Sequence, residues 1–227
     1  MLKDFDDFTT EVSWFIKAGD NIDISPGVIE PGKDFIDTFP LLYSLINRAS
    51  ILNVSVNKKN YKLISWTTSD GKSCGWLCEF ESKLSGKIEI LPEHQILIDN
   101  IGGIRESYNQ PEEAFTNNQN FLFLKSECKR GHGYWTDYYH DRCGEYKIQP
   151  IPVSDLVSFV YEANGGQVLY NLTTKQVYLF SHDHSFDYVT FLDGQPEYTF
   201  HLINNVSNFV DYVEALAKQW LLYINTD

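Results

Sequence analysis

No stretch of this sequence reaches the roughly 18 consecutive apolar residues that a membrane-spanning helix needs. The opening residues, Met1-Leu2-Lys3-Asp4-Phe5-Asp6-Asp7, carry acids and lack an apolar stretch, so they do not read as a secretory signal. The expected location is therefore cytoplasmic. Cysteine is scarce: Cys74, Cys78, Cys128 and Cys143 are the only four. In a reducing compartment they are expected as thiols, and four in a chain of 227 residues do not make a disulfide framework. Positive charge is also short, with 18 Lys and Arg against 31 Asp and Glu, a net charge of −13. A surface so negative repels phosphate, which disfavours non-specific binding to nucleic acid or anionic lipid. It draws in a cationic partner instead. The sequence has no P-loop, no dinucleotide fingerprint and no G-x-S-x-G elbow, and Gly131-His132-Gly133 is too short to cradle a phosphate alone. There is no internal repeat and no low-complexity tract.

Apolar and aromatic material is plentiful. Hydrophobic residues make up 43% and aromatics 15%, enough for a core, which excludes disorder. Phe5, Phe8, Val12 and Phe15 recur at helical steps and predict a helix over residues 4–18. Residues 20–33, dense in Pro, Gly, Asn and Asp, read as a loop. Pro40 followed by Leu41, Leu42, Leu45 and Ile46 predicts a helix over 38–48. The period then switches to two. Strands are expected at 51–56, 61–67, 75–81 and 87–91, forming a meander.

A short helix is expected over 92–101, stopped by Gly102-Gly103. Residues 104–119 read as polar and turn-rich, 121–124 as a short strand, and 128–147 have no clear structure. Further strands are expected at 157–162, 167–172, 176–180, 188–191 and 198–203. A closing helix over 207–223 carries Phe209, Val213, Leu216 and Trp220 on one face. The expected fold class is α+β: a mixed, largely antiparallel sheet flanked by N-terminal helices and a C-terminal helix. Residues 1–50 read as a helical segment packed on the main domain, and 51–227 as the α+β domain.

Leu91-Pro92, a short apolar helix and Gly102-Gly103 are followed later by Ala163-Asn164-Gly165-Gly166-Gln167-Val168-Leu169-Tyr170-Asn171-Leu172. Lys175-Gln176-Val177-Tyr178-Leu179-Phe180-Ser181-His182-Asp183 comes next, and Ser207-Asn208-Phe209 opens the last helix. This order resembles the SUKH superfamily over roughly residues 85–223. That family includes fungal cell-wall-synthesis regulators and bacterial immunity proteins that neutralise toxins. The resemblance implies a SUKH-like fold whose function is binding rather than chemistry, with no cofactor. Residues 104–155 are long for the family, and the first eighty residues have no clear counterpart in it.

Three clusters are candidates for function. Cys128, His132, His140 and Cys143 hold the right atoms for tetrahedral zinc, with Asp137 and Asp141 as spare ligands. Their C-x3-H-x7-H-x2-C spacing matches no common finger, and the plainer reading is a loop in which they never converge. The C-x3-C of Cys74 and Cys78 is weaker still. His182-Asp183-His184-Ser185-Phe186-Asp187 alternates imidazoles, but reads as a turn after a strand. The third cluster, Tyr134-Trp135-Thr136-Asp137-Tyr138-Tyr139-His140-Asp141, mixes rings and acids. It either fills the core under a long loop or forms a protein interface, in which rings supply anchors and carboxylates meet a basic partner. The interface reading assigns partner contacts to Tyr134, Trp135, Asp137, Tyr138, Tyr139, Asp141, Asp183 and Asp187. No catalytic residue, metal ligand or cofactor is assigned. The expected function is an immunity-type module that binds a basic toxin domain, with a regulatory scaffold or a zinc-containing enzyme or module as alternatives.

Overall fold

The computed structural model describes residues 2–81, 88–111, 119–131, 133–162, 164–183 and 186–225. Helix α1 spans Leu2–Glu11, shorter than the periodicity predicts. Thr9 and Thr10 turn their hydroxyls back onto the Asp6 carbonyl, and β-branched Val12 follows, so the helix gives way to turns. Val12 is still buried with Phe5 and Phe8, and Phe15 packs against the same cluster.

Contrary to expectation, residues 20–33 are not all loop. Ile22–Pro26 form strand β1, antiparallel to β2 over Ser50–Val56, with Ile22 opposite Val56 and Pro26 opposite Leu52. Ile22 and Ile24 lie against the Phe8 cluster. So short a period-2 signal is hidden in sequence by the prolines around it, which are tolerated on an edge strand. The helix expected over 38–48 is α3 (Pro40–Ile46). It is preceded by a helix not expected from the sequence, α2 (Lys33–Thr38), from which it is separated at Phe39, whose φ of −128° and ψ of 64° leave the helical region.

Phe39 offers α3 no side-chain cap. The cap comes from the far end of the chain: Glu214 accepts the backbone N–H groups of Leu41 at 2.9 Å and Leu42 at 3.1 Å. A carboxylate at a helix N-terminus satisfies orphan donors and meets the positive dipole end. We expect Glu214→Ala to lower stability by about 1 kcal/mol, the usual loss for a missing cap, with Glu214→Gln intermediate, both measured by urea denaturation.

Strands β3 (Lys59–Thr67) and β4 (Ser73–Glu79) follow as expected, the β2–β3 turn using Asn57 and Lys58 at φ 52° and 70°. The expected fourth strand, 87–91, is absent over its described residues 88–91. The partner of β4 is instead β5 (Gly103–Tyr108), in a segment that reads as polar turns, because Arg105, Glu106 and Ser107 are only partly buried. Between them α4 spans Pro92–Ile101, as the sequence predicts. It stops at Gly102, where φ is 78° and a Cβ would lie 2.6 Å from the Glu79 carbonyl oxygen, so only glycine fits.

The second sheet contains β6 (Gln119–Asn120), β7 (Lys129–Arg130), β8 (Leu156–Glu162), β9 (Gln167–Asn171), β10 (Val177–Phe180), β11 (Val189–Phe191) and β12 (Phe200–Ile203). Its order is β11-β12-β10-β9-β8-β6, with β7 also on β8; the first sheet runs β1-β2-β3-β4-β5. Every named ladder is antiparallel. The strand expected at 121–124 is reduced to a seam between the two sheets. The Ile104 N–H donates to the Leu122 carbonyl at 2.8 Å and the Phe123 N–H to the Phe159 carbonyl at 2.9 Å. Phe121 and Phe123 have φ of 52° and 66°, which prevents a longer extended run. The class is α+β, as expected, but with two antiparallel sheets rather than one.

Helices complete the layers. Over one face lie α2, α3, α4 and the closing helix α6 (Phe209–Asn225). Trp220 of α6 meets Trp66 and Trp76 of the first sheet at ring separations of 5.3 and 5.1 Å, while Phe209 and Tyr212 pack on Phe159 of the second. The opposite face is covered by α1 over the first sheet and by α5 (Thr136–Tyr146) over the second. Among the described residues no helix is long and apolar enough to cross a membrane.

Candidate partner-binding face

Residues 128–147, unreadable in sequence, become β7, a 3-10 turn over Gly133–Trp135, and α5. Asp137 sits in the first turn of α5, at the positive end of its dipole, and Lys147 closes it in a left-handed conformation. The inward face is Tyr139 and Cys143, packed on Leu156, Leu169, Phe180 and Phe200. Asp137, His140, Asp141 and Glu145 are exposed on the outward side. Arg142 is held by Glu145 at 2.6 Å and by the Tyr146 ring, so it neutralises little of that face.

Just before α5 the chain builds an aromatic ledge. The Trp135 ring stacks on His182 with centroids 3.8 Å apart and planes 20° from parallel. Tyr138 stands edge-on to both rings. The Trp135 indole N–H donates to the Gly165 carbonyl at 2.7 Å, and the Tyr138 hydroxyl donates to the His182 carbonyl at 3.1 Å, with the Tyr198 carbonyl 3.4 Å away. Gly165 has φ of 92°, and a Cβ there would meet the Trp135 ring at 3.1 Å. Three turns therefore lock a partly buried platform in place.

The eight expected contact residues divide. Trp135 and Tyr138 form this platform, Asp183 is exposed next to its His182, and Asp137 and Asp141 are exposed one helical turn apart on α5. Asp187 is exposed in the turn before β11. Tyr139 is a correction: it is fully buried, its hydroxyl accepts the Ile151 N–H at 2.7 Å and donates to Gln195, and it fills the core beneath α5 rather than meeting a partner. The helical period turns it away from the exposed side that carries Asp137 and Asp141. The Tyr134 side chain lies outside the described residues, as do His132, His184 and Ser185. His182, on which Trp135 stacks, is not among the eight expected residues. Its neighbour Ser181 is buried at the end of a strand, so the turn carries the ring back over the sheet.

The zinc quartet does not assemble from its described members. Cys128 is buried on the α6 face of the second sheet and Cys143 on the α5 face, so the sheet lies between them, while His140 is exposed. Among the described residues no group of three His, Cys, Asp or Glu side chains is placed to hold a metal. Burial pushes the Cys74 and Cys128 thiols up to about 12, leaving them protonated and poor nucleophiles.

Two buried polar groupings went unseen in sequence. Glu79, 6% exposed, is flanked by Lys59 from β3 at 2.6 Å and by Arg105 from β5, in a cleft of about 510 Å³ that also includes Lys58, Glu81 and Ser126. His94 of α4 is fully buried. Its Nε2–H donates to the Phe123 carbonyl at 2.7 Å, and its Nδ1 accepts from the Tyr170 hydroxyl at 3.1 Å. Glu79 and Arg105 are 26 positions apart in sequence, His94 and Tyr170 76 apart, and no local pattern reports such pairings. No family model, no curated protein and no solved structure matches the chain.

Proposed function

We propose that this chain is a protein-binding module that acts in the cytoplasm by covering a basic partner, in the manner of immunity proteins that neutralise toxins. The observation that carries this reading is the preorganised ledge of Trp135, Tyr138 and His182 beside the exposed carboxylates Asp137, Asp141 and Asp183. Rigid, partly exposed rings already held in place suit the centre of an interface, and a rim of one sign selects a partner of the other. The net charge of −13 works in the same direction over a longer range. Binding occludes the partner, and no cofactor or bond-making step enters.

The test is capture of partners from the native cell with the tagged chain, followed by titration of the purified pair. The expected partner is a basic protein whose affinity falls as salt rises. Asp137→Lys/Asp141→Lys and Trp135→Ala should each weaken it at least about tenfold. The double lysine variant should lower the melting transition only slightly, through the lost dipole contact of Asp137. Trp135→Ala should lower it more, because the ring packs on the second-sheet core and its N–H bonds Gly165. Unchanged affinity in both variants would remove this face from the function.

A further inference from the structure

The layer formed by the two sheets ends in β1 on one side and β11 on the other. The two ends differ. Strand β1 carries Asp23 and finishes on Pro26, both devices that discourage a further strand. Strand β11, Val189-Thr190-Phe191, carries neither charge nor proline.

Its hydrogen-bond directions follow from its neighbours. The Asn204 N–H donates to the Tyr188 carbonyl at 2.9 Å and the Leu192 N–H to the Phe200 carbonyl at 3.0 Å. In the antiparallel register Thr190 faces Leu202, so even-numbered residues point their backbone groups at β12. Val189 and Phe191 point theirs the other way. The Val189 N–H is taken by the Phe186 carbonyl at 3.1 Å. The Val189 carbonyl and the Phe191 N–H and carbonyl remain directed outward, and among the described residues no strand lies on that side.

The surroundings specify what fits there. Between Lys175 and Lys218 the chain has six acids and no Lys or Arg. Asp183, Asp187, Asp193 and Glu197 are all exposed around β11. Phe191 and Tyr198, 37% and 39% exposed, meet edge to face at 6.0 Å. The Tyr198 carbonyl also faces the Tyr138 hydroxyl, which makes the strand edge continuous with the aromatic ledge.

We propose that β11 is a strand-addition site for an extended basic segment of a protein partner. This rests on the reading of the ledge as a partner-binding face and adds the mode of binding. The segment pairs its backbone with Val189 and Phe191, sets an apolar side chain against Phe191, and places Lys or Arg side chains among the four carboxylates. A second copy of this chain would bring the same four carboxylates against themselves.

The probe is a synthetic Lys-Val-Lys-Val-Lys-Val peptide titrated to about 1 mM, the weak end of measurable affinity, into the full chain, followed by amide NMR shifts and exchange. Saturable shifts centred on residues 189–191 are expected, with the Phe191 amide exchanging about tenfold more slowly. A twin peptide N-methylated at alternate residues, and a Glu-Val twin, should each bind at least about tenfold more weakly. Phe191→Pro, which removes the outward donor together with the ring that meets Tyr198, should do the same, and the methylated twin tests the backbone pairing by itself on the unaltered chain. Equal binding of the methylated twin, or no shifts up to the highest concentration, overturns strand addition. Shifts confined to Trp135 and α5 also overturn it, yet leave the ledge reading standing. Concentration-dependent dimerisation through β11 overturns the basic occupant in favour of a second copy.

Discussion

Glu79→Ala should lower the unfolding free energy by about 3 kcal/mol, the loss expected when one member of a buried ion pair is removed and its partner stays behind. Glu79 sits at the end of β4 with its side chain 8% exposed. Two cations converge on it from the neighbouring strands, Lys59 from β3 and Arg105 from β5. The two contribute unequally. Lys59 is 51% exposed and regains water when the carboxylate goes, so its half contributes little. Arg105 is 20% exposed and cannot withdraw, since its guanidinium also lies over the Phe121 ring and 3.8 Å from Glu127. The damage comes from a stranded guanidinium, so removing that as well should relieve it. Glu79→Leu/Arg105→Leu is expected to recover most of the loss. Urea denaturation of the two singles and the double gives the coupling directly. A Glu79→Ala chain within about 1 kcal/mol of the parent would show that water already screens this pair.

Acid should destabilise the protein by about 3 kcal/mol through His94 alone, because a pKa lower by one in the folded chain than in the unfolded chain corresponds to about 1.4 kcal/mol. Burial pushes the His94 ring down from 6.5 to about 4, partly offset by its bond to the Phe123 carbonyl. Above pH 6.5 the ring is neutral in folded and unfolded chains alike, and pH has no effect through it. Between pH 6.5 and about 4 the unfolded chain takes up a proton that the folded chain refuses, so every fall in pH favours unfolding. Below about 4 both forms are protonated and the loss is complete. The geometry explains the resistance. A protonated Nδ1 would lose its bond from Tyr170, and its charge would sit among Phe123, Phe159, Tyr170 and Phe209. His94→Gln keeps a donor for the Phe123 carbonyl but cannot titrate. Its stability, measured at about pH 7, 5.5 and 4 to bracket that window, should fall less steeply than the parent's by that amount. Parallel curves would mean that the carboxylates alone set the acid limit.

Legibility in the sequence followed the range of the interactions. The hairpins of residues 156–180 and the closing helix were readable because turn residues and apolar period lie within about a dozen neighbouring positions. α4 was readable to its last residue, because Pro92 and Gly102 mark both ends. β5 was not, because Arg105 and Glu106 look like solvent-facing residues until Glu79 is placed beside Arg105. The expected strand at 121–124 had the right composition, but its residues serve two sheets at once and two of them take positive φ. In the candidate site, the sequence located the aromatic-acidic segment but not which rings faced out. Tyr138 and Tyr139 are chemically identical neighbours, and only the helix that forms there separates them.

Composition and periodicity thus determined the class of this protein: an α+β fold with a strongly negative charge and no long apolar helix. Those properties are sums over the chain or repeats within a short window, so a linear reading captures them. The tertiary structure decided the pairings: Trp135 on His182, Glu214 on the start of α3, Glu79 between Lys59 and Arg105, and an uncharged strand at one end of the sheet layer. Each depends on which distant residues the core brings within a few ångströms, and burial then determines whether a charge or ring there stabilises the fold or faces a partner.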